Sequence, residues 1–243
     1  MDDTLAAGLE QLRKDRRVEA LFSPRIDEIA ALLEQYMAEI ELFNPAYGLV
    51  SVKNRRELVV RHILDSLAAL GVLLDRAPGR SIADVGSGAG LPGIPLAISL
   101  PQAHFTLIER TGRRAGFLRN TAALLGLPNV TVEETEMEKA GPGRFDLLVF
   151  RAFRPLEPPV LKGLLRLLAK GGVLAAWKGR DAAVREELGK LEAAGLLSSG
   201  APSAASPPAA GKPRWEILPV KTPFLEEERR LVLIFLPESG INA

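Results

Sequence analysis

Asp84-Val85-Gly86-Ser87-Gly88-Ala89-Gly90-Leu91-Pro92-Gly93 follows directly on the run Ser81 to Val85 and precedes a helix that Pro92 or Pro95 can begin. A strand that turns into a helix through closely spaced glycines can hold a ligand. Without a Cβ the backbone takes positive φ and approaches a bound group closely, and the free N–H groups of the following helix favour an electron-rich or anionic partner. The spacing discriminates further. A dinucleotide fingerprint reads Gly-x-Gly-x-x-Gly, but counted from Gly86 its third position is Leu91, and the glycine falls at 90 instead. A nicotinamide dehydrogenase is thereby disfavoured. The plain alternative, a tight turn that binds nothing, is decided by context.

Outward from this turn, short β-rich runs alternate with helix-like stretches. Ser81 to Val85, His104 to Glu109, Val130 to Glu133, Phe145 to Arg151 and Val173 to Lys178 read as strands. The alternation predicts an α/β fold, a mostly parallel sheet with helices on both faces. Two last strands, Trp215 to Val220 and Arg230 to Leu236, leave no room for a helix between them and should pair antiparallel. From about Leu21 to Leu74 apolar residues recur at helical spacing, as in Ile29, Leu33, Tyr36, Met37 and Ile40, with a break expected at Asn44-Pro45 and Gly48. The expected organisation is a helical cap over residues 1–78 and a sheet domain over 79–243. Within the latter, the Ala, Ser, Pro and Gly of about 197–213 predict a long flexible loop. Arg13-Lys14-Asp15-Arg16-Arg17 reads as a solvated helix face.

Composition narrows the chemistry. Of 243 residues, 47% are hydrophobic and 25% charged, as in an ordinary water-soluble protein. No apolar run approaches the ~20 residues of a membrane span. The first 17 residues lack the apolar segment of a signal peptide, so a cytoplasmic location is expected. The absence of Cys removes disulfides, thiolate nucleophiles and cysteine metal sites; the two His, 62 and 104, are too far apart in sequence to suggest a ligand pair, so no metal is expected. A net charge of +1 means that any nucleic-acid contact must come from local clustering.

Such clustering is visible. Arg110, Arg113 and Arg114 follow the second strand, Arg151 and Arg154 the fourth, and Lys178 and Arg180 the fifth, and parallel strands end on one sheet edge. Positive charge should gather there, as a phosphate backbone requires; solvated or Glu-paired loop arginines are the bland alternative. Glu109 ends the second strand 19 positions after Gly90 (109 minus 90), where an acidic side chain can accept from ribose hydroxyls. Phe153 could stack on a base, though packing is the preferred reading. His62, in an apolar helix, reads as a buried hydrogen-bonded link between cap and sheet, with Asp65 as a partner in that task.

The chain resembles one family: the bacterial ribosomal RNA small subunit methyltransferase G family, also called glucose-inhibited division protein B. The resemblance lies in Arg61-His62-Ile63-Leu64-Asp65-Ser66-Leu67, Asp84 to Pro95, Phe105 to Arg119, Phe145-Asp146 with Arg151-Ala152-Phe153, Lys178-Gly179, and Glu228-Arg229-Arg230-Leu231-Val232. It implies a class I S-adenosylmethionine-dependent methyltransferase fold, Rossmann-like with one antiparallel strand. It further implies methylation of a guanine at N7 in the decoding-region loop of 16S ribosomal RNA, with the free RNA or a small-subunit precursor as partner and a monomeric enzyme. Carried over by position, Gly86, Leu91, Met137, Glu138 and Arg151 would contact S-adenosylmethionine beside Gly88, Gly90 and Glu109, with Arg151 next to the transferred methyl. Arg229 joins Arg110, Arg113, Arg114, Arg154 and Lys178 as an RNA-facing cation. Where relatives carry an Asn-Leu-Thr segment and an Arg, this chain has Gly48-Leu49-Val50-Ser51 and Glu136.

Chemistry points the same way. Guanine N7 carries no proton, so methyl transfer to it needs in-line approach and charge stabilisation and no general base, which makes Arg151 a positioning and electrostatic group. An amino-group methyltransferase would show an Asp/Asn-Pro-Pro-aromatic turn where this chain has Phe150-Arg151-Ala152-Phe153-Arg154, and a cysteine route is excluded by composition. A methyltransferase for a small molecule or protein, and a non-catalytic RNA-binding module, are the other classes open at this point.

Overall fold

In the computed structural model, which describes residues 2–198 and 211–238, the predicted strands join into one seven-stranded sheet of order β3-β2-β1-β4-β5-β7-β6. These are β1 (Ser81–Val85), β2 (His104–Glu109), β3 (Val130–Glu134), β4 (Phe145–Arg151), β5 (Leu168–Lys178), β6 (Arg214–Val220) and β7 (Arg229–Phe235). All pairs are parallel except those of β7, which runs against both neighbours. The α/β class with one reversed strand is as expected. Because β2 and β4 flank β1 on opposite sides, the chain changes direction beside the glycine turn, and a crevice opens at the carboxyl ends of β1 and β4.

Side-chain alternation along each strand sorts the sheet into two faces. Ile82, Leu107, Leu147, Val149, Ala175, Trp177, Leu231 and Leu233 share one core with the N-terminal helices, α7 (Gly93–Ser99) and α8 (Gly112–Leu124). Ala83, Val85, Ile108, Leu148, Phe150, Leu174, Ala176 and Val232 pack on the other face with α9 (Pro158–Leu167) and α10 (Asp181–Ala193). The period of two therefore aims Asp84, Glu109, Arg151 and Arg229 at the first face and Lys178 at the second.

The N-terminal part comprises α1 (Asp3–Arg13), α2 (Arg16–Phe22), α3 (Ile26–Tyr47), α4 (Arg55–Leu58), a π-helical turn (Val59–Leu64), α5 (Asp65–Leu67) and α6 (Leu70–Arg76). Three sequence expectations need correction. The break in α3 falls at Gly48, which terminates the helix at φ 56°, ψ 51°. Pro45 stays inside, because in a last turn its missing N–H forfeits a single helical bond. Arg13 to Arg17 is not one helix face: Asp15 accepts from the Arg17 N–H and starts α2, so the run straddles two helices. Finally, β5 begins at Leu168, not Val173. The Lys170-Gly171-Gly172 stretch is taken up as a register shift opposite Phe145 and Leu147. The loop expected at about 197–213 falls, over 199–210, outside the described residues. Among the described residues no helix is long and apolar enough to cross a membrane.

Candidate functional site

The glycine turn is built for close approach. Gly86, Gly88 and Gly90 sit at φ 71°, 58° and 93°, and both Gly86 and Ser87 donate to the Ile108 carbonyl, which ties the turn to β2. The three glycines do different work. A Cβ on Gly88 would meet nothing nearer than the Gly86 carbonyl at 3.9 Å, so the space above it is open. On Gly90 it would strike Ile94 at 2.6 Å and Leu118 at 3.0 Å, so this glycine lets the helices close behind the turn. On Gly86 it would strike the Phe153 ring at 2.1 Å. From α3, the buried Tyr36 hydroxyl donates to the Ala89 carbonyl at 2.7 Å and braces the loop.

Two cavities open on this edge. The larger, of about 1190 Å³, is lined by Gly86, Gly88, Leu91, His62, Arg151 and Lys178 among others. The smaller, about 270 Å³, is lined by Ile108, Glu109, Arg110, Thr135 and Met137. Gly86, Arg114 and the Ala152 to Arg154 segment border both. Phe153 thus packs against Gly86 and edge-on to Phe150, at 6.2 Å between centroids. Glu109 is buried, one oxygen accepting from Gly88 at 2.9 Å and the other from Thr111 at 2.8 Å. A carboxylate has about four lone-pair sites, so it retains capacity to accept from a ligand's hydroxyls. Asp84 is fully buried; one oxygen accepts from Gly93 at 2.9 Å and the other has no partner among the described residues. Glu109, a buried carboxylate with acceptor capacity to spare on a cavity wall, donated to by a glycine with open space above it, fits a nucleoside-bearing methyl donor.

Arg151 is the most constrained cation of the site. Its Nη1 donates to the Arg61 carbonyl at 2.7 Å and to Asp65 at 3.1 Å, and its Nη2 donates to His62 Nδ1 at 2.8 Å. The π-helical turn supplies two of these acceptors, a use typical of such turns at functional sites. Asp65, buried, also accepts from Thr222 Oγ1 and Arg229 Nε, each at 3.0 Å, while its carbonyl accepts from Trp177 Nε1 at 3.0 Å. One residue therefore joins the N-terminal helices to β4 and the β6–β7 connection through its carboxylate, and to β5 through its carbonyl. His62 and Asp65 are the links expected from their helix, but what they hold is not legible locally, because the partners lie 86 to 164 residues away.

Burial, and then the Arg151 guanidinium, push the His62 pKa down from 6.5 to about 4. Burial raises Asp84 from 3.8 to about 7. The signs oppose. The His62 contribution to stability is complete above 6.5 and is lost as pH falls toward 4; the Asp84 contribution is complete below about 4 and is lost as pH rises through about 7. His62→Gln removes one arm. Relative to the parent, this variant is expected to gain roughly 2–3 kcal/mol of unfolding free energy between pH 6.5 and 4.5. Urea unfolding at the two pH values measures it, and a constant difference would mean that His62 is not held neutral.

The remaining predicted residues divide. Met137 is buried and borders the smaller cavity, with its thioether methyl against Gly163. Glu138 borders neither cavity; it pairs with Arg154 at 3.1 Å, and Arg154 stacks on Phe153 at 4.8 Å. Lys178 borders the larger cavity, but from the second sheet face, where it pairs with Glu187 of α10 at 2.8 Å. Arg229 is spent on Asp65. Neither is free for an outside anion. Arg110 is exposed, Arg113 lies over the Tyr47 ring at 5.6 Å and Arg114 donates to the Gly48 carbonyl at 3.3 Å. With the exposed Arg180, these arginines enter no ion pair among the described residues.

A family model described as rRNA small subunit methyltransferase G matches residues 29–206. A protein of Treponema pallidum named ribosomal RNA small subunit methyltransferase G is 37% identical over 237 residues, covering 96% of this chain and 93% of its own. A protein of the same name from Stenotrophomonas maltophilia is 36% identical over 235 residues, covering 96% of both. The crystal structure of a SAM dependent methyltransferase from Aquifex aeolicus superposes with a TM-score of 0.51 at 17% identity, over 75% of this chain and 94% of that one. At that identity the likeness speaks for the fold alone.

Proposed function

The chain belongs to the ribosomal RNA small subunit methyltransferase G family, and from that premise we propose that it moves a methyl group from S-adenosylmethionine to N7 of a guanine in 16S ribosomal RNA. The observation that carries this reading is the pinned Arg151 at the end of β4, sharing one cleft with the open glycine turn at the end of β1.

S-adenosylmethionine, when bound, supplies a methyl group activated by its sulfonium. Gly86, Gly88 and Leu91 shape one side of its place; Gly90 sets the turn from behind. Glu109 accepts ribose hydroxyls with the lone pairs it has to spare, Met137 walls the smaller cavity, and Glu138 acts through Arg154. Among the described residues the titratable groups around Arg151 are already engaged, and Glu157, which also lines the cleft, is exposed to solvent. His62 already accepts from Arg151, Asp65 holds two arginines and Glu187 holds Lys178. That poverty suits guanine N7, a nucleophile with no proton to lose. Arg151 offers a planar fork of donors. Its remaining N–H capacity grips an electron-rich edge such as guanine O6, the neighbouring N7 turning toward the methyl.

RNA is received at the start of α8. Its first turn has no side-chain cap and no acidic residue, and carries Arg113 and Arg114 beside Arg110. Cations there oppose the helix dipole, an arrangement that a phosphate relieves.

Incubation with 16S RNA from cells lacking the modification and with isotopically labelled donor, followed by mass mapping, tests the reading. Label on a guanine N7 is expected; label on an exocyclic amine or a ribose oxygen overturns it. Arg151→Lys keeps the charge but loses the fork that reaches three acceptors. It should lower kcat by about 10²-fold, the scale of one removed transition-state donor, with a smaller effect on thermal stability. Parallel losses of both would make Arg151 a structural residue.

A further inference from the structure

The strand order delivers one more loop to the carboxyl edge, between Val220 and Arg229, because β6 runs with β1 to β5 and β7 returns against them. Both shoulders of this loop are anchored on one atom. Thr222 Oγ1 and Arg229 Nε each donate to the same oxygen of Asp65 at 3.0 Å, and the Leu225 N–H donates to the Thr222 carbonyl at 3.2 Å. At its tip stands Phe224, with φ 62° and 41% of its surface exposed. A bulky residue in the left-handed region is strained, and such strain persists only where the surroundings over-determine it. Full burial does not account for it, since two-fifths of the residue's surface stays in solvent.

The ring faces a groove of about 530 Å³ that Asn54, Arg56, Val60, Arg61 and Leu225 complete. The Arg56 guanidinium lies 5.8 Å from the ring centroid and donates to Thr4 Oγ1 at 3.2 Å. Arg61 lines both this groove and the larger cavity of the donor site, so a strand leaving one enters the other. The rim carries Glu57, Glu226 and Glu227, the last paired with Arg61. Carboxylates repel a phosphate and accept from exocyclic amino groups, so this groove suits a base and not the backbone.

We propose that the groove is a second nucleobase site, in which an unpaired base of the RNA substrate stacks on Phe224 beside Arg56. It rests on the RNA reading above. The site fixes where the strand runs, so that the target guanine is presented from a defined direction.

The test exploits the strain. Phe224→Gly removes the ring at a position whose φ glycine adopts freely, so thermal stability should hold or rise. Titration with unmethylated 16S RNA should show affinity about tenfold weaker, in the range of one lost base stack, with the affinity for S-adenosylmethionine unchanged. Phe224→Trp, which keeps a stacking surface, should restore RNA affinity. RNA affinity in Phe224→Gly equal to the parent's overturns the proposal. So does a loss seen only with protein-containing particles and not with free RNA, which would assign the groove to a protein. If the parent itself does not bind the RNA, the RNA reading falls first and the groove with it.

Discussion

Replacing Asp65 by Ala is expected to lower the free energy of unfolding by about 3–5 kcal/mol, the cost of leaving a buried ion pair half-made. The expectation follows from what the carboxylate holds: Arg151 on one oxygen, Arg229 and Thr222 on the other, with its side chain only 4% exposed. Without it two guanidinium groups face each other with no counter-charge, and Arg151 keeps only His62 and the Arg61 carbonyl. Methyl transfer should fall by at least about 10²-fold even where the protein is folded. Asp65→Asn separates charge from shape. It retains an acceptor for Thr222 but not the negative charge, and should recover little of either loss. Urea unfolding and single-turnover transfer measured side by side decide the matter, and wild-type behaviour of the Asn variant would refute the account.

Gly86→Val should weaken S-adenosylmethionine binding by at least about a hundredfold, or about 2.7 kcal/mol. The turn holds φ 71° there, a conformation that costs an L-residue roughly 1–2 kcal/mol, and the new Cβ would stand 2.1 Å from the Phe153 ring. That ring must leave, and it borders both cavities. Pairing the change with Phe153→Ala isolates the cause: the clash is relieved, yet the branched side chain still fills the crevice, so donor binding should stay poor. Calorimetric titration of both variants measures this, and parent-like affinity in either removes the glycine turn from the donor site.

Much of this architecture was legible in local sequence. The glycine turn and the strand cores depend on neighbours within a few residues, and the continuous apolar run Leu147 to Phe150 carries its own record of a strand buried on both faces. What escaped depends on distance or compensation. Lys170-Gly171-Gly172 resembles a turn, and only pairing with β4 makes it strand. Pro45 resembles a break and is tolerated by its place in the last helical turn. The arginines were legible as residues but not as charges. Whether a cation is spent internally, as Arg229 and Lys178 are, depends on carboxylates far along the chain, whereas the freedom of Arg110 and Arg113 depends on the absence of such partners among the described residues.

The apolar face shared by the first seven helical segments and the sheet bears on how this enzyme could be dissected. Leu5, Phe22, Leu33 and Met37 belong to the same core as Leu147, Val149 and Leu233. A fragment beginning at residue 79 would therefore meet water with an oily flank and a stranded pair of arginines, and would precipitate instead of serving as a smaller catalyst.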